Sequence, residues 1–244
     1  MTIDEEKKLK REKYTITNED MDFYYSDEAR GLRLQVDYLK AEEKMKQAGV
    51  THTIVVFGSA RTEEDNKNYK EARKFGALVG ELGDSPEDCH ITLMTGGGPG
   101  IMEAANRGAH DVGAKSIGLN IKLPHEQSPN SYITHELSFQ FYYFGIRKLH
   151  FIQRARAIVV FPGGFGTLDE LFDILTLIQT GKSPLIPIVL ISKYYWKNVI
   201  NFDFLVHEGV IKEKDLALFS YAESAQEAWE HIDNWYTIRE IDLF

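Results

Sequence analysis

A chain of 244 residues, 43% hydrophobic and 12% aromatic, can bury a full core within one large domain. Its 28 Lys and Arg stand against 37 Asp and Glu, and the formal charge of −9 argues against long nucleic acid as a partner. A single cysteine, Cys89, excludes an intrachain disulfide, the charged amino terminus does not read as a secretory signal, and no segment supplies the roughly 20 apolar residues of a membrane span. A reducing, cytoplasmic setting is expected, with no membrane partner.

The first two dozen residues are too polar to pack and read as a loose arm. From 28 to 47, Leu32, Val36, Leu39 and Met45 recur near helical spacing, and Gly49 closes the segment. Beyond residue 50, short apolar runs at 53–57, 91–94, 116–120, 157–161 and 187–191 read as strands, apolar enough to be covered on both faces. Helices are predicted between and after them at 68–82, 100–112, 141–154, 168–180, 194–208 and 224–235. The alternation implies an α/β fold, a parallel sheet with helices on both faces plus an N-terminal helical extension. Residues 1–50 are then the arm and amphipathic helix, and 51–244 a single α/β domain.

Three strands run into glycine-bearing turns: Phe57-Gly58-Ser59-Ala60-Arg61, Thr95-Gly96-Gly97-Gly98-Pro99-Gly100 and Pro162-Gly163-Gly164-Phe165-Gly166-Thr167. Turns that follow parallel strands share the carboxyl edge of the sheet, where open α/β folds bind ligands. Glycine lets a ligand approach the backbone, and the following helix offers unpaired N–H groups to an anion. Gly58 alone reads as a tight turn, whereas two Gly-rich strand-to-helix turns favour anion binding. The GGGPGI segment lacks the third glycine of the dinucleotide fingerprint, and no G-x-x-x-x-G-K-[ST] occurs, so a dehydrogenase or P-loop NTPase is poorly supported. His135-Glu136 fails H-E-x-x-H, and Ser59 is not in a G-x-S-x-G elbow.

The segments GGGPGIMEAAN (96–106) and PGGFGTLDE (162–170), with Arg147-Lys148 between them, resemble the LOG (Lonely Guy) family of phosphoribohydrolases, and the similarity runs from about residue 53 to the last helix. The resemblance implies a Rossmann-like fold and hydrolysis of a nucleoside 5′-monophosphate, AMP or a cytokinin riboside 5′-monophosphate, to free base and ribose 5-phosphate. It further implies that no cofactor is used and that the chain forms a homo-oligomer, a dimer or larger. The aromatic run 139–144 and the N-terminal helix are candidate interface, or core of the single subunit. The label "possible lysine decarboxylase", long carried by relatives, would require a Schiff-base lysine, and no lysine here has a context that singles it out.

By motif position, the resemblance makes Arg147 and Glu170 the catalytic pair, and Gly163, Gly164, Gly166 and Thr167 the phosphate cradle. Gly97, Gly98 and Ser59 are further candidates for substrate contact, with Met102 a weaker candidate for the base pocket. The Arg-Lys element follows Phe144, Gly145 and Ile146 here, where many plant-like members have Met-His. Other roles compete. Thr167-Leu168-Asp169-Glu170 spells a T-x-x-E capping box at a helix start, Arg147 reads as a surface arginine with Lys148 a solvated neighbour, Ser59 as a local cap and Met102 as core. The rival function is a carrier of a nucleotide or of molybdenum cofactor, which needs the cradle but no carboxylate beside the ribose.

Overall fold

The computed structural model describes residues 18–82, 89–122 and 128–243. Its centre is a seven-stranded sheet of β1 (His52–Phe57), β2 (Ile91–Thr95), β3 (Ser116–Ile121), β4 (Ser138–Phe141), β5 (Ala155–Val160), β6 (Ile188–Ile191) and β7 (Ser220–Ala222). The order is β4-β3-β2-β1-β5-β6-β7, and every pairing is parallel. The chain works outward from β1 to β4 on one side, then crosses back to β5 on the other. That reversal opens a crevice at the carboxyl ends of β1 and β5, the place where such sheets bind ligands.

Strand side chains alternate between two cores. Ile54, Val56, Leu93 and Val159 point to one face, covered by α3 (Lys67–Gly80), α4 (Ile101–Asp111) and α9 (Ala225–Arg239). Val55, Phe57, Met94 and Val160 point to the other, beneath α2 (Arg30–Gln47), α5 (Phe144–Gln153) and α6 (Phe165–Gln179). The third and fourth residues of β1 thus serve opposite layers, which is why the strands read as continuous apolar runs.

Five strands and most helices fall where the sequence puts them, and the differences have physical causes. β4 occupies Ser138–Phe141, where the aromatic run suggested the approach to a helix; Phe139 and Phe141 are buried and Gln140 is exposed, the alternation of a strand. β7, at three residues, is too short to show periodicity. The helix predicted over 194–208 is broken into α7 (Lys193–Val199) and α8 (Phe202–His207), because the Asn201 side chain accepts the Phe204 N–H at 3.0 Å and starts a new helix.

The N-terminal region departs further. The loose arm expected over the first two dozen residues falls largely on 1–17, which lie outside the described residues, but Asn18–Tyr25 form a helix, α1. Arg33 on α2 donates to the carbonyls of Tyr24 at 2.5 Å and Ser26 at 2.6 Å, partners for groups that a helix end leaves open. In α2 itself the apolar stripe is split between surface and core. Leu32, Val36 and Leu39 are about half exposed, while Asp37, Ala41 and Met45 are buried. Polar fastening sets this orientation. The Asp37 carboxylate accepts the backbone N–H groups of Tyr142 at 2.7 Å and Tyr143 at 2.9 Å, and Arg154 donates to Glu42 at 2.6 Å. α2 therefore holds the start of α5, the helix that carries Arg147.

Candidate functional site

The register pairs Val56 with Thr95 and Phe57 with Val160, so β1, β2 and β5 end at one level and their three turns meet. They are stitched together by main-chain bonds: Ser59 N–H donates to Pro162 O at 3.0 Å, and Ile101 N–H to Ser59 O at 3.0 Å. Between them lies a cleft of about 780 Å³. Ser59, Gly98, Met102, Arg147, Glu170 and the cradle residues Gly163, Gly164, Gly166 and Thr167 all line it.

Gly97 does not line the cleft. It has φ of +74°, its N–H donates to Thr95 Oγ1, and its carbonyl accepts from Asn130, so its backbone turns back into the protein. Behind this turn Asn106 accepts from Thr95 Oγ1 at 2.7 Å and donates to Ser116 Oγ at 2.9 Å, an internal polar network that fixes the loop. Gly100, at φ +69°, caps α4, and a Cβ there would sit 2.4 Å from the Ser59 carbonyl oxygen. The first Gly-rich turn is thus partly a packing device.

The second Gly-rich turn is built differently. Gly164 is the N-cap of α6, with no side-chain cap and no acidic residue in the first turn, so the leading N–H groups of a 15-residue helix face the cleft without a side-chain partner. Gly163 has no room for a Cβ, which would lie 2.1 Å from Thr167 Oγ1, whereas a Cβ on Gly164 would meet nothing within 4 Å. The Tyr195 hydroxyl donates to Gly163 O at 2.5 Å and fastens the turn from α7.

The capping box expected at Thr167 and Glu170 is not formed. α6 begins at Phe165, three residues before the predicted start, so Thr167 lies within its first turn and Glu170 in the second. The glycines at 164 and 166 hid this start from propensity reasoning. Glu170 is 6% exposed, and its Oε1 accepts from Arg147 Nη2 at 3.3 Å. Arg147 is no surface arginine: its guanidinium stands over the rings of Phe144 and Phe151, at 5.3 and 5.5 Å, and among the described residues its buried Nε has no hydrogen-bond partner. Lys148 is not a solvated neighbour either, being paired with Asp169 at 2.8 Å on the outer side of the same two helices. The Ser59 hydroxyl accepts the Arg61 N–H at 3.0 Å, a local turn contact, while still lining the cleft.

Burial dominates the electrostatics of the Arg147–Glu170 pair. It pushes the Glu170 carboxyl above the ordinary glutamate value, against the pull of Arg147 and Lys148, and lowers Arg147 against the pull of Glu170. Arginine keeps its proton regardless, so Glu170 is the member that titrates.

Tyr195, Phe165 and Asn120 are among the cleft residues not singled out from sequence as candidates. Tyr195 fastens the second Gly-rich turn from α7, and Phe165, 93% exposed, stands at the head of α6. Asn120 ends the otherwise apolar strand β3; a polar residue of poor strand propensity at the carboxyl edge was the available signal.

A parallel sheet with this order, flanked by helices and carrying its glycine turns around one crevice, defines a Rossmann-like α/β protein. Two solved structures share the fold at a TM-score of 0.53. They are TM1055, a structural-genomics protein, 17% identical over 75% of this chain and 99% of its own, and the molybdenum cofactor binding protein from the phototrophic bacterium Rippkaea orientalis, 20% identical over 76% of this chain and 97% of its own. The family model described as "possible lysine decarboxylase" matches residues 102–232, and the chain belongs to that family. Its relatives include the probable cytokinin riboside 5′-monophosphate phosphoribohydrolase LOG4 of Oryza sativa subsp. japonica, 28% identical over 73% of this chain and 75% of that protein. The cytokinin riboside 5′-monophosphate phosphoribohydrolase LOG3 of Arabidopsis thaliana is 25% identical over 79% of this chain and 86% of its own. Among the described residues no helix is long and apolar enough to cross a membrane.

Proposed function

We propose that the protein hydrolyses the N-glycosidic bond of a nucleoside 5′-monophosphate, AMP or a cytokinin riboside 5′-monophosphate, giving free base and ribose 5-phosphate. The observation that carries this reading is one helix lining one cleft with two kinds of group: an uncapped N-terminus and, one turn further, a buried carboxylate paired with arginine. The leading N–H groups of α6 suit a 5′-phosphate, with Thr167 beside them. From Phe165 to Glu170 the helix rises about 7.5 Å, which sets the carboxylate near the ribose rather than the phosphate.

Cleavage develops oxocarbenium character on the sugar and negative charge on the leaving base. An ionised Glu170 stabilises the sugar cation and accepts a proton from the attacking water, and Arg147 orients that carboxylate from 3.3 Å. A carrier of nucleotide or molybdenum cofactor shares the need for a cradle but gains nothing from burying a charged pair beside it. Sharing a fold with a molybdenum cofactor binding protein at 20% identity does not weigh against that difference.

The pH dependence tests the assignment of Glu170. Its carboxyl titrates above 4.5, so kcat for adenine release is expected to rise with pH along an acid limb centred above that value. Stability runs the other way. With the folded pKa raised, the native chain holds more protons than the unfolded chain between the two values; this group's stabilisation is complete below 4.5 and lost as pH rises through the folded pKa. Melting curves of wild type and Glu170→Gln should therefore converge at low pH and separate above it. A limb centred at or below 4.5 would assign the titration to another group.

A further inference from the structure

α5 carries Arg147 in its first turn, and that turn is weakly specified by its own sequence. Gly145 lies within it, and among the described residues the N-cap, Tyr143, makes no side-chain cap bond. The missing partner comes from α2. The Asp37 carboxylate, 5% exposed, accepts the N–H groups of Tyr142 at 2.7 Å and Tyr143 at 2.9 Å through Oδ2, and pairs with Lys40 at 2.8 Å through Oδ1. Lys40 also donates to the Gln140 carbonyl, and Arg33 Nε to the Tyr143 hydroxyl at 3.1 Å. The Tyr143 carbonyl in turn accepts the Arg147 N–H at 3.2 Å, so two consecutive hydrogen bonds connect Asp37 to the backbone of Arg147. The far end of α5 is held as well, where Arg154 donates to Glu42 at 2.6 Å and the Tyr38 ring stacks on His150 at 4.9 Å. A helix fastened at both ends from α2 cannot slide or turn over α6 without breaking partly buried polar contacts, and Arg147 must meet Glu170 at 3.3 Å across those two helices.

We infer that Asp37 is a positioning residue for the reaction: from a helix that lies ahead of the family-matched residues 102–232, it caps α5 and holds Arg147 in register with Glu170. The inference rests on the catalytic reading of that pair given above. Asp37 does not line the cleft, so its effect reaches the chemistry through Arg147. Its charge also complements the positive amino-terminal end of α5. A small displacement of a group that acts by position is enough to slow a reaction steeply.

The test compares Asp37→Ala, Asp37→Asn and Glu71→Ala. Glu71 on α3 makes the same kind of contact on the opposite face of the sheet, accepting the Ala225 N–H at the start of α9 at 2.9 Å, and so controls for lost stability alone. Asp37→Ala should lower kcat for adenine release from AMP at least about tenfold, with the Kd of ribose 5-phosphate within about twofold of wild type, because the cradle belongs to α6. Asp37→Asn, which keeps an oxygen for both N–H groups, should recover most of the rate. Glu71→Ala should lower Tm but not kcat. Asp37→Leu fills the same buried space and replaces Asp37→Ala if the smaller residue does not fold. The pH profile is a second readout. Glu170 is faced by Arg147 and Lys148 from α5 and by Asp169 on its own helix, and loss of the Arg147 pull should move the acid limb of kcat in Asp37→Ala to higher pH. A wild-type rate and acid limb in a folded Asp37→Ala or Asp37→Leu protein, or an equal fall in kcat for Glu71→Ala, would overturn the role of Asp37 and leave the glycosidase reading in place. No adenine from wild type would overturn that reading and this inference with it.

Discussion

Replacing Glu170 by glutamine is expected to lower the rate of adenine release from AMP by 10²-fold or more, about 2.7 kcal/mol of transition-state stabilisation, while the protein stays folded. Glutamine keeps the volume and the oxygen that accepts from Arg147 at 3.3 Å. It removes the charge that opposes a developing sugar cation. The helix start does not depend on Glu170, since α6 begins at Phe165 with Gly164 as its cap, and a purely capping residue is excluded as the explanation of any loss. Circular dichroism, melting temperature and single-time-point adenine release on the same preparation would show the separation. Wild-type turnover in a folded Glu170→Gln protein would remove this residue from the mechanism.

Gly164→Val is expected to weaken binding of AMP and of ribose 5-phosphate by at least 10²-fold. The backbone at Gly164, with φ of −88° and ψ of −155°, is open to any L residue, and a Cβ there meets no protein atom within 4 Å. The new side chain would therefore enter cleft space without disturbing the fold, in front of the N–H groups proposed to hold phosphate. Gly163 offers no such clean test, because its Cβ would collide with Thr167 and alter the turn itself. Unchanged affinity in folded Gly164→Val, read by calorimetry, would place the phosphate in another turn.

The parts of the molecule legible in sequence were those governed by short-range pattern. Buried parallel strands show as runs such as Thr53–Phe57 because both faces are covered, and the strand-to-helix glycine turns show because the register must bring their ends level. The motif segments placed Arg147 and Glu170 as a pair, and the chain brings their side chains together across 23 residues of sequence. What sequence concealed was decided by tertiary contact. Sequence left the apolar stripe of α2 open between core and interface; the helix is turned so that Leu32, Val36 and Leu39 stay half exposed because Asp37 and Glu42, polar by type, find partners in Tyr142, Tyr143 and Arg154 more than a hundred residues away. The start of α6 was placed late because glycines at 164 and 166 argue against helix locally, though a helix N-terminus open to the cleft tolerates them. Asn120 was passed over because its one signal, a polar residue at the end of an apolar strand, is local and weak, and its packing against Gly97 appears only in the fold.

The most direct test of the central claim is a single-turnover experiment, with purified protein in excess over AMP and the products resolved by chromatography. The account predicts that AMP is consumed and that adenine and ribose 5-phosphate appear in equal amounts. AMP recovered intact from the protein, or conversion to adenosine and inorganic phosphate, would contradict it.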